Sequence, residues 1–235
     1  MTIDYQSYDV LTFDCYGTLI DWETGLLAGL RRALPELEAA DGDGDELLEQ
    51  FAALATREER GRYQSYRSVL AAALRGLAAE RSLDLADDVI GHFAGGVGEW
   101  PAFPDSTEAL RRLQECFELA VVTNCDADLF AASNRRLGVE FDWVVTAELA
   151  RAYKPSTRPF EVAFETIGVP RKRMLHVAQS LFHDHVPAKQ LGLATVWIDR
   201  RHDRPGAGAT PPALASPDAA FPSMSAFADA VAASR

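Results

Sequence analysis

Five short apolar runs punctuate the chain: Val10–Phe13, Leu119–Thr123, Trp143–Thr146, Leu175–Ala178 and Ala194–Ile198. Continuous apolar runs of this length, bounded by polar residues, fit strands buried on both faces of a parallel sheet. Helical patterns separate the last four, as at Ala127–Leu137 and Arg158–Ile167. Such alternation predicts an α/β fold with right-handed crossovers. The interval between the first two runs is too long for one crossover. From about Asp21 to about Gly98 its pattern is almost wholly helical, for example over Leu47–Arg57, Ser68–Glu80 and Leu85–Phe93. Residues 20–98 therefore read as an all-helical cap inserted after the first strand, with a parallel-sheet core made of 1–19 and 99–235. The stretch Asp41–Asp45 (DGDGD) reads as a solvated turn, and Trp100-Pro101-Ala102-Phe103-Pro104 as the return to the core. Arg204–Ala220, rich in Pro, Gly and Ala, reads as a surface loop before a short final helix near Ser223–Ala233.

Composition narrows the class. With 48% hydrophobic and 25% charged residues, the 235-residue chain fits a soluble globular protein. Its net charge of −12 disfavours nucleic acid and anionic membrane as partners. It also requires a local cationic site for any small anionic substrate. Cys15, Cys116 and Cys125 are odd in number and lack zinc-ligand spacing, which suits a reduced, cytoplasmic setting. The N-terminus shows no signal-peptide pattern, and no run approaches the roughly 20 apolar residues of a membrane helix.

Ligands of open α/β sheets bind at the carboxyl ends of the strands. The polar groups expected there are Asp14 to Thr18, Thr123-Asn124, Lys154, and Gln179 to Asp184. A carboxylate at such an end, met by backbone N–H groups of the turn through Gly17, would stay ionised and fixed in direction. His183 beside Asp184 is a candidate base. Tyr16, a phenol of pKa about 10, is a poor proton donor at neutral pH.

The segment Phe13-Asp14-Cys15-Tyr16-Gly17-Thr18-Leu19 is followed in order by Thr123-Asn124, Lys154-Pro155 and His176–Asp184. This ordered set resembles the haloacid dehalogenase superfamily, and its Asp-x-Tyr-Gly-Thr-Leu is similar to the (S)-2-haloacid dehalogenase branch. The resemblance implies a Rossmann-like core with a helical cap. It implies a hydrolase that cleaves the carbon–halogen bond of a small 2-haloacid through an aspartyl ester on Asp14. Thr18 would orient Asp14, and Lys154 would hold the charges of Asp14 and Asp184 together. Asp184 would activate water, helped by His183 or Gln179. Tyr16, Thr123, Asn124 and Gln179 would meet the substrate, with Thr123-Asn124 donating to its carboxylate. Family analogy also allows a homodimer.

Phosphatases of the superfamily carry aspartates where Tyr16 and Gln179 stand. A halide needs no proton to leave, so Tyr16 suits carbon–halogen cleavage better than phosphoester cleavage. No cofactor is expected; Mg²⁺ belongs only to a phosphatase alternative, in which Asp14, the Tyr16 carbonyl and Asp184 would offer oxygens. A catalytically lapsed binding protein is a third reading. Three positions depart from the pattern: Leu47, Phe160 and Leu181 are apolar where the family has Arg, Tyr and Asn. They imply a tighter or differently polarised pocket, with Phe13, Tyr16, Trp22, Tyr63, Tyr66 and Phe182 as candidate walls. Arg57, Arg60, Arg62 and Arg67 are the nearby cations.

Overall fold

The structure, a computed structural model, describes residues 3–37, 44–203 and 209–234. Among the described residues, six strands form one parallel sheet: β1 (Val10–Phe13), β2 (Glu118–Thr123), β3 (Trp143–Thr146), β4 (Met174–Ala178), β5 (Ala194–Ile198) and β6 (Ala219–Phe221). Their order is β3-β2-β1-β4-β5-β6. β1 is central, with Phe13 opposite both Val121 and Val177. All four of its residues are buried, as are those of β4, because both faces of the sheet are covered.

The first five strands follow the apolar runs to within a residue. The sixth does not: it begins at the end of the stretch expected as loop and runs one residue past it, pairing Val196 with Ala219 and Ile198 with Phe221. Ala-Ala-Phe is too short and too small to stand out as an apolar run, and it is a strand only because β5 offers it an edge. Residues 204–208 of that stretch are outside the described residues.

Among the described residues, four α-helices fill the interval after β1: α1 (Trp22–Ala33), α2 (Asp45–Glu59), α3 (Tyr66–Glu80) and α4 (Asp87–Gly95). α5 (Ser106–Gln114) then leads into β2. The starts of α2, α3 and α4 differ by two residues from the apolar patterns, since first turns are polar and set by caps. Ser65, for instance, caps α3 by accepting from the N–H of Ser68. Most of the Asp41–Asp45 turn falls outside the described residues. The later helices are α6 (Ala127–Leu137), α7 (Ala147–Ala150), α8 (Arg158–Ile167), α9 (Val186–Gln190) and α10 (Met224–Ala233). Among the described residues no helix is long and apolar enough to cross a membrane.

Two apolar clusters flank the sheet. The larger joins Phe13, Val121 and Val177 to Leu26, Phe51, Leu70 and Phe93 of the inserted helices. The smaller packs Val10, Val122 and Met174 against Phe160, Ala163 and Ile167 of α8.

The chain enters and leaves the helical block at one seam. The N–H of Asp21 donates to the Pro101 carbonyl (2.8 Å) and that of Phe103 to the Leu19 carbonyl (3.0 Å). Gly25 of α1 is pressed against Trp100, where a Cβ would stand 2.3 Å from the indole. A second tie comes from the core. The buried Asp126, just before α6, accepts the N–H groups of Tyr66 (2.8 Å) and Arg67 (3.0 Å) at the start of α3.

Candidate active site

The carboxyl ends of β1, β2 and β4 meet where the strand order reverses around β1, the place an open α/β sheet reserves for ligands. Asp14 is the first residue after β1, and its N–H donates to the Val177 carbonyl of β4 (3.1 Å). The chain then turns tightly: the N–H groups of Thr18, Leu19 and Ile20 all donate to the Cys15 carbonyl. Gly17 holds φ at +95°, and a Cβ there would lie 3.0 Å from Trp22 Nε1 and 3.3 Å from Gln179 Oε1. Only glycine fits both the dihedral and the space.

The turn delivers Thr18 back to Asp14. Thr18 Oγ1 donates to Asp14 Oδ2 (2.6 Å) and accepts the N–H of Gln179 (2.9 Å). The Arg200 guanidinium donates to the Thr18 carbonyl (2.8 Å) and pairs with Asp105, which fixes the turn from outside. Asp14 is thus held by side chains, Thr18 and Lys154, rather than by the backbone N–H groups of the turn. The amides of the turn are taken by its own carbonyls, that of Gly17 by Ile20 and those of Thr18, Leu19 and Ile20 by Cys15.

Lys154 is 1% exposed. Its ammonium donates to Asp14 Oδ1 (2.8 Å), Asp184 Oδ1 (2.7 Å) and the Val122 carbonyl (2.8 Å). All three N–H bonds are engaged, which is what a buried ammonium requires. Asn124 sets its place: the amide Oδ1 accepts the N–H of Lys154 (2.8 Å) and Nδ2 donates to its carbonyl (3.0 Å). The expectation that Thr123 would donate to a substrate is corrected here. Asn124 lines the cavity, and one of its two amide N–H groups donates to the Lys154 carbonyl. Thr123 Oγ1 is buried without a partner, outside the lining.

Asp184 lies in a single π turn, Leu181–His185, after β4. Its Oδ1 also accepts from His176 Nε2 (3.0 Å), and His176 Nδ1 meets Thr12 Oγ1 (2.9 Å). Burial opposes ionisation of Asp184, yet Lys154 and His176 outweigh it and hold the carboxyl well below the usual range. Burial pushes Asp14 up, against the Lys154 charge and the bonds from Lys154 and Thr18. Asp184 has His176 as a second donor, and Asp14 is left the more basic carboxylate. Asp184 Oδ2 is buried and has no protein partner.

His183 borders the same cavity, with Nδ1 3.0 Å from Ser180 Oγ. Burial lowers it to about 4, so the imidazole is neutral at pH 7. The Tyr16 hydroxyl points to Ser133 of α6 (3.0 Å), and burial raises the phenol well above its ordinary value. The Gln179 carbonyl accepts from Trp197 Nε1 (2.8 Å), and its Oε1 faces Thr210 (3.4 Å).

These groups open on a cavity of about 90 Å³, roofed by Phe51, Ala52, Ala55, Thr56 and Glu59 of α2. Tyr16, Trp22 and Tyr66 line it as expected. Phe13 is wholly within the core, and Tyr63 and Phe182 border a neighbouring cavity instead. None of Leu47, Phe160 and Leu181 reaches the cavity. Phe160 packs behind the sheet edge-on to His176, ring centroids 4.9 Å apart, so its lost hydroxyl does not repolarise the pocket. None of the four arginines lines it either; Arg67 pairs with Asp128 and Arg57 with Glu58. Glu59, His176 and Arg200 join the site beyond the residues expected from the sequence.

A family model for haloacid dehalogenase-like hydrolases matches residues 8–184. The chain belongs to that family. It is similar to an (S)-2-haloacid dehalogenase of Pseudomonas putida, 25% identical over 199 residues, which span 82% of this chain and 85% of the relative. It is 26% identical over 200 residues to haloacetate dehalogenase H-2 of Moraxella sp. (strain B), covering 82% and 86%. The structure of L-2-haloacid dehalogenase from Xanthobacter autotrophicus superposes with a TM-score of 0.80, covering 96% of this chain and 98% of that one at 20% identity. That likeness establishes the α/β fold of this hydrolase.

Proposed function

We propose that this hydrolase cleaves the carbon–halogen bond of a small 2-haloacid through an ester on Asp14, with the helices of residues 20–98 acting as the cap over the site. The observation that carries the reading is the acid missing beside the nucleophile. Tyr16 stands there, its hydroxyl turned to Ser133 and its phenol held neutral. A leaving group that departs as an alkoxide needs a proton, whereas a halide leaves with its bonding pair alone.

In the first step Asp14 attacks the halogen-bearing carbon, forming a C–O bond and releasing halide. Thr18 and Lys154 hold the carboxylate in line. In the second step water adds to the Asp14 carboxyl carbon and the acyl–oxygen bond breaks. The 2-hydroxyacid departs with the original Asp14 oxygen, and Asp14 keeps oxygen from water. The free Oδ2 of Asp184 is suited to orient that water, with the neutral His183 imidazole as proton acceptor. The reading uses no metal. Lys154 already bridges the two carboxylates a divalent cation would need, and Gln179 is uncharged.

Halide release from 2-chloropropionate or bromoacetate, abolished by Asp14→Asn, is the expected result. After turnover in ¹⁸O-water the Asp14 peptide should carry label. Silence on every haloacid, or turnover that leaves this peptide unlabelled, would overturn the mechanism. Phosphate release from an aryl phosphate strictly dependent on Mg²⁺ would replace it with the phosphatase reading.

A further inference from the structure

Glu59, the last residue of α2, has no part in the chemistry above. It lines the Asp14 cavity and also a wider cavity of about 320 Å³ beside it. Thr56, Lys154 and His183 border both, so Glu59 stands at the threshold between them. Its carboxyl makes no hydrogen bond or ion pair with any described residue. Burial pushes it up to about 8, against the pull of Lys154. The same ammonium is bonded to both Asp14 and Asp184.

On the cavity side the titratable groups facing Glu59 are Asp14, Tyr16, Lys154, His183 and Asp184 from the core and Tyr66 from α3. The wider cavity adds Tyr63, Tyr153, Arg60 and Arg151, of which both arginines are exposed. Arg151 lies over the Tyr63 ring, 4.3 Å from its centroid. Three acids and one cation thus border the reaction cavity, and the three N–H bonds of that cation are engaged. A substrate carboxylate finds no charged donor there, and an ionised Glu59 would add a third negative charge against it.

We propose that Glu59, in its protonated form, is the hydrogen-bond donor that receives the substrate's carboxylate and so restricts the site to small monoanionic acids. The inference rests on the dehalogenase reading for its substrate class. A carboxylic acid facing a carboxylate makes a short charge-assisted O–H···O bond, and the same residue becomes a repelling charge once it ionises. Binding should then follow one proton: affinity falls about tenfold per pH unit above the Glu59 titration.

The test is the pH profile of two quantities in the full chain. One is KM for 2-chloropropionate; the other is the Kd of unreactive propionate by calorimetry. Between pH 7 and 9.5 both should rise by at least tenfold in the wild type, with kcat nearly constant. Glu59→Gln carries a donor that cannot ionise, so its KM and Kd stay level across that range. Glu59→Leu removes the donor and raises both at least tenfold at pH 7. A merely structural Glu59 would not separate KM from kcat in this way. A flat wild-type profile, the same alkaline rise in Glu59→Gln, or no propionate binding at any pH would each overturn the proposal. Propionate binding with the expected profile but no halide release would uphold the Glu59 role and sink the dehalogenase reading instead.

Discussion

Replacing Lys154 by methionine removes one ammonium and leaves two carboxylates facing each other. Asp14 Oδ1 and Asp184 Oδ1 lie within about 5.5 Å of one another, both being bonded to the same nitrogen at 2.8 and 2.7 Å. Two unit charges at that separation repel by about 3 kcal/mol at an effective dielectric near 20. The Val122 carbonyl also loses its donor, which brings the expected loss of stability to about 3–5 kcal/mol at pH 8. That is a large part of the roughly 5–15 kcal/mol that stabilises a domain. Relief comes from protonation: without the ammonium, the folded-state pKa of the carboxylate pair rises above the unfolded value of about 3.9. A group raised on folding stabilises below its unfolded pKa and loses that contribution as pH rises through the folded one. The raised pKa of Lys154 leaves its wild-type contribution constant throughout this range. The deficit of Lys154→Met should therefore grow from pH 4.5 to pH 8. Urea unfolding of both proteins at the two pH values measures it. A deficit below about 1 kcal/mol at pH 8, or an equal deficit at both, would refute the electrostatic account.

Three further outcomes follow from the same geometry. Thr18→Val removes the bond to Asp14 and strands the Gln179 N–H; kcat should fall about 10–100-fold with KM little changed, read by steady-state halide release. Asn124→Ala frees both ends of the Lys154 peptide, so stability should fall by about 1–2 kcal/mol in a thermal melt. Burial lowers His185 to about 4, and a histidine depressed on folding stabilises above its unfolded pKa and loses that contribution as pH falls. Stability should therefore drop from pH 6.5 towards pH 4, and His185→Gln should flatten that drop in melts across the range.

Much of this was legible beforehand because parallel strands buried on both faces are apolar from end to end. Val10–Phe13 coincides with its strand for that reason, and the edge run Trp143–Thr146 coincides with its strand although Val144 is exposed. β6 had no such run, and only its pairing with β5 defines it. Asp14, Thr18, Lys154 and Asp184 could be placed because each follows a strand. The walls were harder, since aromatic residues lining a cavity and packing a core share the same spacing. Phe13 and Tyr66 differ only in where their helix or strand points. Glu59 was hidden in the charged run Arg57-Glu58-Glu59-Arg60, which reads as a solvated face. Its signal was there in the spacing: Phe51, Ala55 and Glu59 recur every four residues, placing the acid on the apolar stripe that roofs the cavity. His176 and Asn124 act through hydrogen bonds to other segments, His176 to Asp184 and Thr12 and Asn124 to Lys154, which no local pattern announces.

Asp126 carries a consequence for recombination. It belongs to the loop between β2 and α6, yet it satisfies the first amides of α3. A chimaera that grafts the helical segment of another hydrolase onto this sheet at the chain junctions alone would inherit a carboxylate with nothing to receive, or a helix with unmet amides. The unit that can be exchanged is therefore discontinuous. It comprises the helices together with one residue some sixty positions further along the chain, contributed by the body onto which they are set.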